Sequence, residues 1–380
     1  MELHCQIILF FYLCVDLNYG CMKKKILIDL ERLRYPYTGL ANVFRNIAKG
    51  IEVQFPSNDV CYFGPEKELK KYISAEKIIP YQKWHKYFES FSHKFQLIHI
   101  SNQGAPYFRK NYKNAIKILT LHDLNFLHEN LSVKKRRKMH HRINKSFETV
   151  DYLVCISEFV KQDLLKNKHL FNFKKLKDIV VIHNGIEFPE QKKYDLGQFR
   201  DLRNKKYILN IGVLFDKKNQ KSLVEMLPYI DEDLVLLASG EKEPYATKVR
   251  EIINELGVSD RVHILKNVSE EEKYALIQHC EALCHPSIAE GFGIPPIEAM
   301  ALGKPVFLSR YTSLPEIGGE NAFYFDDFEP KEMANIFHSK MKLYRENKTE
   351  MQQELRKWAS QFDYRTMAKN YYKFYQSLLQ

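Results

Sequence analysis

Short runs of apolar, often β-branched residues recur along this chain. Each is followed by a polar turn and then by a stretch whose apolar residues repeat every three or four positions. Runs at 25–30, 59–63, 97–100, 116–121, 152–156 and 179–182 read as strands. Residues 39–51 read as an amphipathic helix with Val43, Ile47 and Ile51 on one face, and Ser157 is suited to cap a helix over 158–165. Across 188–203 the periodicity lapses, and then it restarts. Strands are predicted at 207–211, 234–238, 262–265, 282–285 and 305–309, with helices near 222–227, 245–256, 270–279 and 295–302. Such a succession requires a parallel sheet with helical crossovers. At 380 residues the chain suits two domains of roughly 150–200 residues. The expected architecture is therefore α/β: two doubly wound, Rossmann-like halves joined near residue 195. Ligands are expected outside the carboxyl ends of the strands, in the cleft between the halves. Residues 331–380 read as helical, with Tyr364, Tyr371, Tyr372, Phe374 and Tyr375 as packing residues.

Composition closes off other classes. Pro and Gly total 29 residues (14 and 15), too few for extended disorder or a collagenous chain. The seven cysteines, at 5, 14, 21, 61, 155, 280 and 284, are odd in number and scattered, so no disulfide framework is expected. Cys280 and Cys284 have no second close pair to complete a zinc site and read as buried free thiols. The apolar run 6–15 is half the length of a membrane span, which needs about 20 residues. It has neither the basic flank nor the cleavage site of a signal peptide. Residues 1–21 are expected to be an upstream extension with Met22 the natural start, or else a short membrane-dipping segment.

Charge is unevenly spread. Residues 1–190 hold 31 Lys and Arg against 19 Asp and Glu, a net of +12, which leaves −1 for the second half of a chain of net charge +11. The excess concentrates in 133–145, VKKRRKMHHRINK, with Lys134, Lys135, Arg136, Arg137, Lys138, Arg142 and Lys145, flanked by Phe126, Leu127 and Leu131. This segment reads either as a face for an anionic membrane surface or as a solvated helix face. No motif for nucleic acid accompanies it, so no nucleic-acid partner is expected.

The richest run is 284–305, CHPSIAEGFGIPPIEAMALGKP. It reads as a strand, a glycine-bearing turn and a helix opened by Pro295-Pro296. Gly291 and Gly293 let backbone amides approach a ligand, and the helix start favours phosphate. Glu290 and Glu298 are placed so that both can point into one pocket, and carboxylates accept hydrogen bonds from sugar hydroxyls. Phosphate donors between two hydroxyl acceptors suit a nucleotide-sugar.

This run resembles the E-x7-E signature of retaining glycosyltransferase family four, of GT-B fold, and the resemblance extends over everything from Met22 onward. It implies an N-terminal acceptor-binding domain over 22–195, a C-terminal donor-binding domain over 196–365, and a C-terminal helix, 366–380, crossing back to the first. Residues 210–219, NIGVLFDKKN, resemble the strand and basic loop that clamps the donor diphosphate. Relatives usually carry Arg-Lys there; Lys217-Lys218 keeps the charge without the planar fork of arginine. His122-Asp123 resembles the strand-end histidine beside the transferred sugar. Thr38-Gly39-Leu40 resembles the glycine loop near the donor phosphate, with one glycine where relatives often have two. Leu314-Pro315-Glu316 matches a structural turn.

The resemblance thus implies His122, Glu290, Lys217 and Lys218 as catalytic. It implies Gly39, Gly212, Lys217, Lys218, Glu290, Gly291, Phe292, Gly293, Ile294 and Glu298 as donor-binding, with Glu290 on the sugar hydroxyls and Glu298 on the ribose. Neither a metal nor a cofactor is implied beyond the nucleotide-sugar itself. The donor is GDP- or UDP-linked, with mannose favoured. The partners are a glycan or lipid-linked acceptor and an anionic membrane, in the cytoplasm or at the inner face of the cytoplasmic membrane. Two competing readings stand beside this one: an inactive GT-B protein that binds sugars or scaffolds a glycan-assembly complex, and another GT-B enzyme such as an epimerase or phosphorylase.

Overall fold

The computed structural model describes residues 25–35, 39–87, 92, 94–129 and 131–380. Residues 1–21, Met22 and Thr38 lie outside the described residues. The chain forms two compact units. The first runs from the first described residue to Ile156 and also takes Val160–Gly185 and Tyr364–Gln380; the second comprises Ser157–Phe159 and Ile186–Asp363.

The first unit is built on a seven-stranded sheet. Its strands are β1 (Ile26–Asp29), β2 (Val60–Gly64), β3 (Ile78–Pro80), β4 (Leu97–Ile100), β5 (Ile116–Leu121), β6 (Tyr152–Cys155) and β7 (Asp178–Val181). All pair in parallel, in the order β3-β2-β1-β4-β5-β6-β7. Every residue of β1 is buried, as a central parallel strand covered on both faces must be. Helix α1 (Gly39–Gln54) buries Val43, Phe44, Ile47, Ala48 and Ile51. The C-terminal helix, Tyr364–Leu379, packs beside α1 and is tied to the sheet by polar contacts. Tyr375 Oη lies 2.6 Å from His99 Nδ1, and Tyr371 Oη lies 2.9 Å from Thr120 Oγ1. The aromatic residues of this helix are thus part of the packing: Tyr371 and Tyr375 are buried, and Tyr372 stacks on Phe55. Helix α2 (Val133–Phe147) begins at Ser132, whose hydroxyl accepts the Lys135 N–H.

The second unit has six parallel strands: β8 (Tyr207–Leu214), β9 (Asp233–Glu241), β10 (Val262–Leu265), β11 (Ala282–His285), β12 (Val306–Ser309) and β13 (Phe323–Phe325). Their order is β10-β9-β8-β11-β12-β13. Helix α3 (Glu270–His279) starts with a reciprocal cap between Ser269 and Glu272, and helix α4 (Ile294–Ala301) follows the glycine turn.

The change of unit falls at Gly185–Ile186, ten residues before the expected boundary near 195, because the polar stretch after it is bound to the second unit. Ile186 N–H donates to Phe362 O at 2.9 Å, and Tyr194 N–H donates to Gln278 Oε1 at 3.0 Å. The chain returns at Asp363–Tyr364, two residues before the expected 365–366, where the C-terminal helix begins. Strands β3 and β13 were not expected; each has only three residues at a sheet edge. The described cysteines, Cys61, Cys155, Cys280 and Cys284, are buried.

Candidate functional site

In each sheet the strand order reverses direction once, between β1 and β4 in the first unit and between β8 and β11 in the second. In doubly wound sheets, ligands bind at the carboxyl ends of the strands at such a reversal. In the second unit the two segments leaving it are the basic loop after β8 and the glycine turn after β11.

These segments are latched together. Lys217 O accepts hydrogen bonds from Ser287 Oγ at 2.7 Å and from Ile288 N–H at 2.8 Å. Lys218 Nζ is bound to Glu290 Oε1. The stem of Lys218 runs over Gly212: a Cβ added there would already be in contact with Lys218 Cε, at 3.6 Å. Lys217 Nζ lies 5.6 Å from the Phe215 ring centroid.

Glu290 also receives His285 Nε2, 2.8 Å from the same Oε1. Burial pushes the Glu290 carboxyl up, but the charge of Lys218 and the hydrogen bond from His285 outweigh it and hold the group at about 2. The carboxylate is ionised at neutral pH, so the imidazole is the donor. Burial pushes His285 below its ordinary range, against the opposing pull of Glu290. The turn is pinned from behind as well: Glu290 N–H donates to Thr312 Oγ1 at 3.0 Å, and Ser313 Oγ donates to Phe292 O at 2.8 Å.

Gly293 caps α4 with φ +115° in the left-handed region, and a Cβ there would lie 3.0 Å from Leu314 Cδ2, so glycine is required on both counts. Ile294 opens the helix, and Pro295-Pro296 sit in its first turn. Gly291 contributes its carbonyl to Ser157 Oγ at 3.1 Å. Phe292 does not present its ring to a ligand; it is buried edge-on against Phe362, leaving only its backbone at the turn.

The two signature glutamates were expected to share a pocket, but they take different partners. Glu298, on α4, is buried and paired at 2.7 Å with Lys273 of α3, whose ammonium also lies 4.4 Å from the Tyr274 ring centroid.

His122 and Gly39 belong to the first unit. Gly39 is the exposed first residue of α1. His122, after β5, is only 3% exposed; its Nε2–H donates to Ser101 O at 2.8 Å, and Phe44 meets the ring edge-on. Burial, opposed by the Ser101 hydrogen bond and aided by Arg32, holds the imidazole at about 4. It is a neutral group whose Nδ1 has no hydrogen-bond partner.

Three participants escaped the sequence reading. His285 ends β11 immediately before the signature, and only its proximity to Glu290 could have flagged it. Thr312 and Ser313 lie in a turn over twenty residues on. Glu316, read as part of a structural turn, accepts the N–H groups of Glu158 and Phe159 at 2.8 and 3.1 Å.

Comparison with known proteins assigns both halves. Residues 197–360 match the family described as Glycosyl transferases group 1, and residues 60–188 match Glycosyltransferase Family 4. The chain belongs to glycosyltransferase family four. The chain is 28% identical over 213 residues to the O-antigen chain mannosyltransferase RfbU of Salmonella typhimurium, a match covering 56% of this chain and 57% of that one. It is 22% identical over 338 residues to the O-antigen chain mannosyltransferase B of Escherichia coli, covering 80% and 86%. The chain thus spans less than two thirds of the length of RfbU, and more of the second relative. Among solved structures, Anabaena HepE in complex with UDP and glucose superposes with a TM-score of 0.69 at 19% identity, covering 93% of this chain and all of that one. That likeness establishes the GT-B fold of the family member described here.

Proposed function

We propose that this chain is a retaining, metal-independent hexosyltransferase, with mannose the favoured sugar. It takes the sugar from a GDP- or UDP-linked donor and passes it to a glycan or lipid-linked acceptor of cell-surface polysaccharide or lipopolysaccharide. The mannosyltransferase relatives support the sugar and the pathway class. The observation that carries the reading is the arrangement at Glu290. Lys218 and His285 both engage Oε1, and no described hydrogen bond uses Oε2. An ionised carboxylate with one oxygen committed and the other available is suited to accept sugar hydroxyls.

In the reaction the bond from the anomeric carbon to the donor phosphate breaks, and its electron pair stays on the phosphate oxygen. The acceptor oxygen bonds to that carbon from the same face, and its proton passes to the departing phosphate. Lys217, Lys218, the amides of Gly291–Gly293 and the start of α4 stabilise the growing phosphate charge. Glu290 orients the sugar. Glu298 reaches a ribose by exchanging Lys273 for its hydroxyls. His122 and Gly39 would act from the first unit.

The protein would work in the cytoplasm, at the inner face of the membrane. No described helix is long and apolar enough to cross a bilayer. On α2, Lys134, Lys135, Arg136, Arg137 and Lys138 are all exposed. Beside them runs a groove of about 550 Å³ lined by Phe126, Leu127, Leu131 and Leu170.

The test is turnover of GDP-mannose and UDP-glucose with chelator present, followed by nucleotide release and by the anomeric proton signals of the product. Retention with one donor, lost in Glu290→Gln, supports the reading. An inverted product, or no turnover of either donor with membrane extracts as acceptor source, contradicts it.

A further inference from the structure

The strand reversal of the first unit is occupied by charge that the donor chemistry does not use. Arg32 and Arg34 follow β1, the loop 101–109 follows β4, and Arg142 comes from α2. Arg32 Nη2 and Arg142 Nη2 both stand 3.4 Å from the position a Cβ would take on Gly104, with Asn102 Oδ1 at 3.1 Å, and Arg32 Nη2 donates to Gly104 O at 3.4 Å, so the glycine sits between two guanidinium groups. Arg109 joins them through its Nε–H, donated to Ala105 O at 2.9 Å, and its guanidinium is held below its ordinary range by burial and by the nearby charge of Arg142.

Opposing charge is short. Glu31 pairs with Arg34 at 2.7 Å and only distantly with Arg32, at 3.9 Å. Asp29 Oδ1 accepts the Glu31 N–H. Neither Arg109 nor Arg142 forms an ion pair with a described carboxylate. Four guanidinium groups thus face two carboxylates, a surplus of two positive charges, with Lys86 adding to the field at Glu31. Like charges gathered in a partly buried crevice are costly unless an anion joins them.

The same place holds most of the buried polar atoms that lack a hydrogen-bond partner. Of ten such side-chain atoms among the described residues, seven are here: the two Glu31 oxygens, which Arg34 and Arg32 hold as ion pairs, and one atom each of Arg32, Arg34, Tyr107, Arg109 and His122. Native interiors satisfy nearly all such groups, so a concentration of exceptions calls for a partner such as a bound anion. Glu31 is 1% exposed, Tyr107 0% and His122 3%, so bulk solvent does not serve them. The unpartnered donors on Arg32, Arg34 and Arg109 call for acceptor oxygens, and guanidinium forks match phosphate oxygens in geometry. His122 Nδ1 is an acceptor, suited to a ligand hydroxyl.

We propose that the arginine cluster at the β1–β4 reversal, formed around Gly104 by Arg32, Arg109 and Arg142, binds the phosphate or diphosphate of a phosphorylated ligand. In the transferase reading this ligand is the acceptor. That name rests on the proposed function; the anion site rests on the arginines alone.

Calorimetric titration of the full chain tests this with three probes: farnesyl diphosphate below its aggregation concentration, inorganic pyrophosphate and the nucleoside diphosphates UDP and GDP. The double variant Arg32→Ala, Arg142→Ala is expected to weaken farnesyl diphosphate binding by about tenfold or more, with nucleoside diphosphate binding changed less than about twofold. Lys217→Ala with Lys218→Ala should give the opposite pattern. Gly104→Ala, which crowds the Arg32 and Arg142 guanidinium groups and keeps every arginine, should weaken farnesyl diphosphate as well. In the double-lysine background, pyrophosphate binding as tight as farnesyl diphosphate assigns the site to a bare phosphate anion, and tighter farnesyl diphosphate assigns it to a lipid ester; both uphold it. Unchanged farnesyl diphosphate affinity in the arginine variant overturns the proposal. So does an equal loss of nucleotide affinity there, which would give these arginines to the donor. If wild type binds no nucleotide but its farnesyl diphosphate binding still needs the arginines, the transferase reading fails and the anion site stands.

Discussion

His285 Nε2 lies 2.8 Å from Glu290 Oε1, and this buried donor commits one oxygen of the signature carboxylate that Lys218 also engages. His285→Leu removes the donor and frees the carboxylate to rotate. Affinity for a nucleotide-sugar should fall by about tenfold, the worth of one hydrogen bond to a charged group, while affinity for the bare nucleoside diphosphate stays within about twofold. His285→Gln, whose amide can donate from a similar position, should restore most of the difference. Calorimetry with both ligands reads the split; parallel losses for the two would make His285 a merely structural residue.

Lys273 and Glu298 form a largely buried pair on facing helices. Breaking such a pair from one side strands the other charge, at a cost of about 3 kcal/mol. Lys273→Ala should therefore destabilise the protein more than Lys273→Ala combined with Glu298→Gln, which removes both charges. Urea denaturation of the two variants gives the comparison.

Buried histidines contribute to the acid limit, three of them by a defined amount. Burial lowers His85 to about 4 and His99 to about 3, and it lowers His122 to about 4 against the Ser101 hydrogen bond. Their folded values lie below the unfolded 6.5, so the unfolded chain binds protons that the folded protein refuses. Stability is then full above pH 6.5 and falls as pH drops toward 4, by about 2 kcal/mol per histidine at pH 5. The slope of unfolding free energy against pH in that window should be shallower by one proton in His85→Phe, whose ring neighbours Phe63 and Trp84 are aromatic.

The exposed basic face of α2 should bind anionic bilayers. Replacing Lys134, Lys135 and Lys138 by glutamine removes three charges, each worth about 1 kcal/mol near such a surface. Flotation with phosphatidylglycerol vesicles should drop by two orders of magnitude or so in apparent affinity, and high salt should mimic the change. Equal flotation of wild type and variant would make α2 a solvated face.

Much of this architecture was legible because parallel strands buried on both faces advertise themselves. The runs ILID of β1 and ALCH of β11 are buried throughout and apolar but for the terminal Asp29 and His285, and glycine with proline marks the turn between β11 and α4. The edges were not legible. IIP and FYF are too short for any period, and their strand state comes from pairing with β2 and β12. The boundary at Ile186 was hidden because its partners, Phe362 and Asp363, lie some 175 residues further on. At the site, the signature located Glu290 and the basic loop located Lys218, but their union with His285 is a product of the fold. Glu298 shows the converse: helical spacing placed it on α4, but its partner, Lys273, comes from another helix.

The central claim is a nucleotide-sugar donor site on the second unit, and nucleotide-induced thermal stabilisation of the chain tests it most directly. With UDP and GDP at millimolar concentration and chelator present, one nucleotide should raise the melting temperature by several degrees, since ligand at about 100 times its Kd adds about 2.7 kcal/mol. That shift should be much reduced in Glu298→Ala and in Lys217→Ala with Lys218→Ala. No shift with either nucleotide, or a shift that survives both changes undiminished, would contradict it.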